Sequence, residues 1–151
     1  MNVFRMIALP LIFLLCSGLA QAAEGLIVVK SNQSVAATAD KLEAVLSENG
    51  MKIMNRINHA AAAESAGMEL RPTELVIFGN PKVGTPLMQC AQSVALDLPQ
   101  KALIWEDESG QVWLGYNDPE YLKARHSIEG CDAVLKKVSG ALTNFAGAAT
   151  R

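Results

Sequence analysis

The chain has 151 residues, half of them hydrophobic, and carries 13 Lys and Arg side chains against 15 Asp and Glu side chains. This length supports one domain with a single core. Electrostatic binding to nucleic acid requires clustered Lys and Arg side chains. The sequence contains no such cluster, so we expect no nucleic-acid partner.

The first 22 residues have the three parts of a secretory signal peptide. Arg5 supplies the positive charge, residues 6–15 form an apolar stretch, and residues 20–22 (Ala-Gln-Ala) form a small-x-small cleavage site. The apolar stretch is too short to span a bilayer, which needs about 20 residues. Cys16 follows Leu15, whereas a lipoprotein signal has a small residue there. We therefore expect cleavage, export to the periplasm and no integral membrane anchor afterwards.

The predicted mature domain covers residues 23–151. Without Arg5 it has 12 basic and 15 acidic side chains, a net charge near −3, which disfavours an anionic membrane surface. Its two cysteines are Cys90 and Cys131, and exported chains usually meet an oxidising compartment. A disulfide between them, two buried thiols and a pair of metal-binding thiols are all compatible with the sequence. The absence of a CxxC motif disfavours a thioredoxin-like redox role.

Hydrophobic periodicity predicts the element order β-α-β-(short α)-β-α-β-β-α-α. Such a mixture typically forms a mostly antiparallel sheet with helices packed on one face, an α+β fold. The expected bounds are strands 25–30, 51–58, 74–79, 101–106 and 111–116, and helices 35–48, 60–67, from 86 to before 97, from 119 through 126, and 131–146.

Two local patterns bear on function. If the second strand continues, His59 shares its apolar face with Asn55. Further along, Thr85 is the expected N-cap of a helix that has Pro86 at its first position. Residues 80–84 before it are expected to form a turn.

Several collinear blocks resemble the DUF302 family, a bacterial group of unknown function. They are Ile57-Asn58-His59, Arg71-Pro72-Thr73-Glu74-Leu75, Ile77-Phe78-Gly79-Asn80-Pro81, Gly84-Thr85-Pro86-Leu87-Met88, Leu96-Asp97-Leu98-Pro99, Trp105-Glu106-Asp107, Tyr116 and Arg125-His126. The resemblance implies a TBP-like fold, in which a curved antiparallel sheet of about five strands carries helices on one side, and a homodimer. Family members often have Asp where this chain has Asn58, which weakens any role that such an acid has beside His59. The resemblance supplies neither a reaction nor a cofactor.

The two histidines of the domain are candidates for chemistry. If His59 and His126 converge, they could ligate a metal ion or haem iron, or one could act as a general base. Structural histidines, hydrogen-bonded in a turn or at a helix end, are the simpler interpretation. Asp97, between two leucines, is expected to cap or pin a turn.

The segment from Asn80 to Pro86 is a candidate anion site. It leads from a buried strand into a helix N-terminus, where free backbone N–H groups favour anions. Asn80, Lys82, Gly84 and Thr85 would then contact a carboxylate, a phosphate or a sulfur oxyanion. The alternative is a well-capped turn without a ligand. The segment lacks the spacing of a P-loop.

Trp105 and Tyr116 are candidates for an aromatic-lined pocket on the predicted hairpin, although core packing explains them equally well. The methionines lack the spacing of a copper site. Nucleophile and metalloprotease motifs such as GxSxG and HExxH are absent, and no serine has a nucleophile-like sequence context.

These observations favour an exported, non-catalytic dimer that binds a small ligand or a metal ion. One alternative is an enzyme in which His59 acts as general base or metal ligand. Another is an adaptor that binds a second exported protein.

Overall fold

The structure is a computed structural model that describes residues 23–151, so the predicted signal peptide lies outside the described residues. The elements are strands β1 (Leu26–Ser31), β2 (Lys52–Asn58), β3 (Thr73–Gly79), β4 (Gln100–Glu106) and β5 (Val112–Asn117), and helices α1 (Val35–Glu48), α2 (His59–Ser65), α3 (Pro81–Cys90), α4 (Pro119–His126) and α5 (Asp132–Ala149). A short 3₁₀ helix, Gln92–Leu96, follows α3. The predicted α+β class and element order are confirmed.

The five strands form one antiparallel sheet in the order β1-β5-β4-β3-β2. β4 is central, and the first two strands of the chain form the two edges. Leu26 pairs with Asn117 across the β1–β5 ladder, so the first strand of the domain pairs with the last. The C-terminal end meets the same region at Asn32, whose backbone N–H donates to the Thr150 carbonyl at 3.1 Å.

The core lies between the sheet and the helices. Alternate strand residues point to this side, among them Val76 and Phe78 of β3 and Ile104 of β4, which are essentially inaccessible to solvent. α1 crosses strands β2 to β5 and packs against α5. Leu42 and Leu46 of α1 supply much of the facing apolar surface, as the helical spacing predicts.

The opposite side of the sheet, here called the open face, has no helix over it in the described part of the chain. Its side chains are half-buried against one another rather than covered. The apolar ones are Leu26, Val28, Ile57, Leu75, Ile77, Leu103, Trp105 and Trp113.

Helix caps explain where several elements begin. The Ser34 hydroxyl accepts a hydrogen bond from the backbone N–H of Ala37, as expected for the start of α1. The Asn80 side chain accepts from the N–H of Lys82, so α3 begins at Pro81. The prediction that Thr85 caps this helix is therefore wrong. Asn80 is also a good cap, and Pro81 suits the first helical position better than an internal Pro86.

β2 also departs from the simple alternation. A bulge between Ile53 and Asn55 shifts the register, which returns Arg56 to the helix side of the sheet. The strand then ends at Asn58, whose side chain caps α2 by accepting from the Ala61 N–H at 2.8 Å. His59 therefore opens a helix and is exposed, contrary to the expectation that it shares the inward strand face.

Candidate functional site

A cavity of about 300 Å³ lies beneath α3, between the end of β3 and helix α5. Its walls are almost entirely apolar. α5 contributes one wall, α3 another, and the segment before β4 the floor. The lining residues include Met51, Met54, Phe78, Val83, Leu87, Met88, Leu98, Val138, Ala141, Leu142 and Phe145.

Gln100 is the buried polar residue of the cavity, which Asn80 and the exposed Thr85 and Lys137 also line. It is the first residue of β4, pairs with Phe78, and is only 8% exposed. Its amide makes no hydrogen bond to protein within residues 23–151. No fully buried side-chain N or O atom of the described residues lacks a partner, so the polar atoms of this amide keep some access to solvent. The cavity thus combines mostly apolar walls with an amide that is free to bond to a water or a ligand.

The predicted anion segment forms part of this cavity, with a different chemistry. Asn80, Gly84 and Thr85 line it, but the exposed Lys82 does not. The Asn80 side chain is already engaged, since its oxygen caps α3 and its nitrogen donates to the Gly50 carbonyl at 3.1 Å. The surroundings therefore favour an apolar group over a phosphate.

The structure does not bring His59 and His126 together. His59 follows β2 at the end of the sheet where β3 begins, next to Glu74. His126 contacts the segment between α3 and β4, at the opposite end of β3. A shared metal site is not formed. In the described residues, no three His, Cys, Asp or Glu side chains are grouped to hold a metal ion.

His126 is held between two side chains of the preceding segment. Its Nε2 lies 2.5 Å from Asp97 Oδ2, and its Nδ1 lies 3.1 Å from Ser93 Oγ. Arg125 approaches the second Asp97 oxygen at 3.4 Å. Asp97 therefore holds this segment against α4, and no sequence pattern indicates that its partners lie in that helix.

Trp105 and Tyr116 lie on opposite faces of the sheet, so they cannot line one pocket. Trp105 is on the open face, where its ring covers Gly115 so closely that an added Cβ there would come within 3.0 Å. Tyr116 faces the core, is 3% exposed and reaches the Thr143 hydroxyl at 3.5 Å. Trp113 and Tyr116 of β5 point to opposite faces of the sheet, as the alternation of strand side chains predicts.

A second concave surface lies near the start of β3, and its lining residue Glu74 belongs to a charged network. Glu74, buried in the sheet, accepts from Arg56 at 2.5 Å, and Arg56 also contacts Asp40 at 2.5 Å. The hydrogen bond to Glu74 is the main cause that raises the pKa of Arg56. All members of the network are paired, which is typical of a structural role.

Cys90 and Cys131 are joined in a disulfide that links the end of α3 to the start of α5. Cys131 is buried. The bond therefore fixes two of the elements that enclose the cavity. Sequence alone could not choose this bond over free thiols, because the distance between the two residues depends on the fold.

Comparison with known proteins places the chain in a family. The model of DUF302, a domain of unknown function, matches residues 27–145. The chain belongs to the DUF302 family. A crystal structure of an uncharacterized conserved DUF302 protein from Bacillus stearothermophilus superposes with a TM-score of 0.76. The match covers 85% of this chain and all of that one at 16% identity, so it supports the fold alone.

Three longer proteins contain a region similar to this DUF302 chain. Two are named "Fluoride-specific ion channel FluC 1", from Brucella suis and Brucella abortus, and one "Fluoride-specific ion channel FluC 2", from Brucella melitensis. Each is 46% identical over 126 residues, or 81% of this chain. The chain spans about half the length of these relatives, 47–50%. Within residues 23–151, no helix has the length and apolar composition to cross a bilayer.

Proposed function

We propose that the mature protein is an exported binding domain whose cavity takes a small, mostly apolar molecule with one hydrogen-bonding group. The observation that carries this proposal is the Gln100 amide, which has no protein partner in the described residues and lines a mostly apolar cavity. Small-molecule sites commonly combine apolar walls with a few polar groups that fix the ligand's orientation. The cavity volume of about 300 Å³ lies at the lower end of the range for such sites.

The energetics favour this ligand class. The binding free energy becomes more favourable by roughly 25 cal/mol for each Å² of apolar ligand surface that the walls remove from water. A ligand hydroxyl or carbonyl that bonds to Gln100 adds the net contribution of one hydrogen bond, about 0.5–1.5 kcal/mol. A fully charged ligand would lose its hydration, and the charged lining residue Lys137 is itself solvent-exposed.

A pair of probes tests both parts of the proposal. 1-Naphthol and naphthalene share their rings, but only the first carries a hydroxyl. We expect both to bind the mature protein in calorimetric titration or two-dimensional NMR, with 1-naphthol about 5- to 10-fold tighter, which corresponds to one net hydrogen bond. Gln100→Leu should remove the preference for 1-naphthol while retaining affinity for naphthalene.

Two matched variants provide the steric control. Ala141→Phe fills the cavity from α5, whereas Ala133→Phe places the same side chain on an exposed position of that helix. The first should weaken both probes by at least about 10-fold, and the second should leave them unchanged. Equal binding to both variants, or no binding to the wild-type protein, would refute the proposed site.

The name of the Brucella relatives raises fluoride as a different ligand. Fluoride is a small, strongly hydrated anion, and the mostly apolar cavity offers it the Gln100 amide and the solvent-exposed Lys137. Its dehydration would cost more than a hydrogen bond and a solvent-screened ion pair return. We therefore expect sodium fluoride to shift the melting temperature no more than sodium chloride does. A specific fluoride shift would replace the apolar ligand with an anion and link this domain directly to the relatives' named ion.

Export and dimerisation belong to the same proposal. The leader pattern and the disulfide both support an oxidising, extracytoplasmic location. The open face supports a dimer. Five strands about 4.8 Å apart, with 6 or 7 residues each, give a face of roughly 500 Å². Two such faces in contact would bury roughly 1,000 Å², which reaches the lower limit for specific interfaces.

A further inference from the structure

Ser93, His126 and Asp97 form a hydrogen-bonded chain outside the cavity. A carboxylate only accepts hydrogen bonds, so the His126 nitrogen that faces Asp97 at 2.5 Å, Nε2, carries the proton. In the neutral ring Nδ1 is then an acceptor, and the Ser93 hydroxyl at 3.1 Å donates to it. The imidazole is thus oriented as a base toward a serine hydroxyl, with a carboxylate behind it.

The three groups differ in burial in a way that suits these roles. The side chains of His126 and Asp97 are 6% and 13% exposed, whereas Ser93 is exposed at the surface. The base and its orienting carboxylate are therefore shielded from solvent, while the hydroxyl that would react is accessible. Arg125 holds the other oxygen of Asp97 and so fixes the orientation of the carboxylate.

The disulfide braces this cluster. Cys90 precedes Ser93 by three residues, and Cys131 follows His126 by five. The bond between these cysteines fixes the two chain segments that supply the cluster. Groups that must keep a hydrogen-bond geometry gain from such a rigid support.

An exposed apolar side chain lies near the serine. Leu96 is 73% exposed, and it follows Ser93 by three residues in the 3₁₀ helix. Residues at this spacing eclipse one another along a 3₁₀ helix. The hydroxyl and an accessible apolar side chain therefore lie on the same side, without a deep pocket around them.

We propose that Ser93 is a nucleophile, with His126 as its base and Asp97 as the positioning residue, and that it reacts with small, solvent-accessible carboxylic esters. Ser93 Oγ attacks the carbonyl carbon and its proton passes to His126 Nδ1. The bond to the alcohol breaks, and the alcohol leaves with that proton. Water then attacks the acyl-serine in the same manner, which releases the carboxylic acid and restores the hydroxyl.

This site is separate from the cavity of the proposed function. Ala95 and Leu98 of the same segment line the cavity, but Ser93, Asp97 and His126 do not. Failure of either proposal therefore leaves the other standing. No sequence motif marks Ser93, because its partner His126 lies in a distant segment. Such a triad is recognised by geometry rather than by a motif.

A fluorophosphonate reagent tests the assignment, since it forms a stable adduct only with activated serines. After treatment of the mature protein with diisopropyl fluorophosphate, we expect one adduct per chain by intact-mass spectrometry, mapped to Ser93. Ser93→Ala should abolish it. Ser109→Ala, which removes another exposed hydroxyl that contacts a carboxylate, should retain it. His126→Gln should slow the labelling at least about 100-fold, and the initial rate of 4-nitrophenyl acetate hydrolysis should fall in parallel.

Two results would overturn the proposal: no adduct on the wild-type protein, or an adduct that persists in Ser93→Ala. An unchanged labelling rate in a folded His126→Gln protein, checked by near-ultraviolet circular dichroism, would also overturn the role of the base. If His126→Gln does not fold, the exposed Ser93→Ala variant and the rate of wild-type labelling still decide the outcome.

Discussion

Asp107 organises the turn between β4 and β5 through its side chain. One carboxylate oxygen accepts from the hydroxyl and backbone N–H of Ser109 at 2.6 and 2.9 Å and from the backbone N–H of Gln111 at 3.0 Å. The other accepts from the Trp113 indole N–H at 2.7 Å. The Ser109 hydroxyl and then the Trp113 indole are the main causes that lower the pKa of Asp107.

The lowered pKa predicts an acid-sensitive contribution to stability. The unfolded carboxyl titrates near pH 3.9, so the stabilisation is complete above that pH and is lost as the pH falls through the lower folded pKa. Asp107→Asn should therefore lower the urea midpoint at neutral pH and reduce the difference between neutral and acidic midpoints. Tryptophan fluorescence measures this, because both tryptophans lie on this hairpin.

Glu108→Gln is the matched control, since that side chain is 91% exposed and reaches Arg71 only at 4.0 Å. Its acid dependence should equal that of the wild-type protein. The same acid dependence in Asp107→Asn would show that the hydrogen bonds around Asp107 contribute nothing to folding.

Residue-level chemistry was only partly predictable from sequence. The prediction that Trp113 and Tyr116 lie on opposite faces is confirmed, because the alternation of side chains along a strand is a local property. Gln100 gave no signal, because an amide at the start of a strand usually finds a partner. Its free state depends on how α3 and α5 pack over β4. The placement of His59 on the face of β2 depended on the strand continuing past Asn58, and nothing before Ala60 shows that Asn58 will cap a helix instead.

At the scale of elements, the open face is the feature that separates this sheet from a fully covered one. β4 is its central strand, and Leu103 lies near the middle of that strand. A cation placed there would have to lose its hydration in a face-to-face dimer. Leu103→Lys should therefore raise the dimer dissociation constant by at least about 100-fold, which corresponds to roughly 3 kcal/mol.

Sedimentation velocity over a range of protein concentrations measures this shift. Met68→Lys is a suitable control because Met68 is 62% exposed and lies outside the sheet, between α2 and β3. A wild-type protein that stays monomeric at high concentration would contradict the dimer. A dimer that tolerates Leu103→Lys would place its interface elsewhere on the molecule.

Element types were more predictable than element ends. The apolar periodicity of α1 gave its bounds correctly, since Ser34 is a strong cap directly before the stripe. The start of α3 lies five residues before the predicted one, because Asn80-Pro81 and Thr85-Pro86 are equally good starts and only the first is used. The bulge in β2 could not be predicted from the sequence of β2, because it is defined by the pairing register between β2 and β3.

For the whole molecule, the disulfide is the strongest single constraint on the unfolded chain. It closes a loop between residues separated by 41 positions, and a loop of this length corresponds to about 4 kcal/mol of stabilisation by chain entropy. The double variant Cys90→Ser with Cys131→Ser should lose about this much free energy of unfolding. Urea denaturation of both proteins, with and without reductant, measures the loss.

Reductant should lower the stability of the wild-type protein to that of the double variant and leave the variant unaffected. The mass of the protein from an exporting host adds a check on location: the chain should begin at Ala23 and be about two daltons lighter than its reduced form. A retained leader, or equal stabilities of the two proteins, would contradict the exported, disulfide-stabilised domain.

The edge position of β1 also affects when the fold can form. β1 leaves the ribosome first but pairs only with β5, and the chain end then closes over it through Asn32 and Thr150. The sheet is therefore completed by its most non-local contacts, which slows folding. A nascent chain with this topology cannot complete its sheet until β5 has been synthesised. We expect this delay to favour translocation, because an unfolded chain can be threaded across a membrane before its last strand pairing closes the domain.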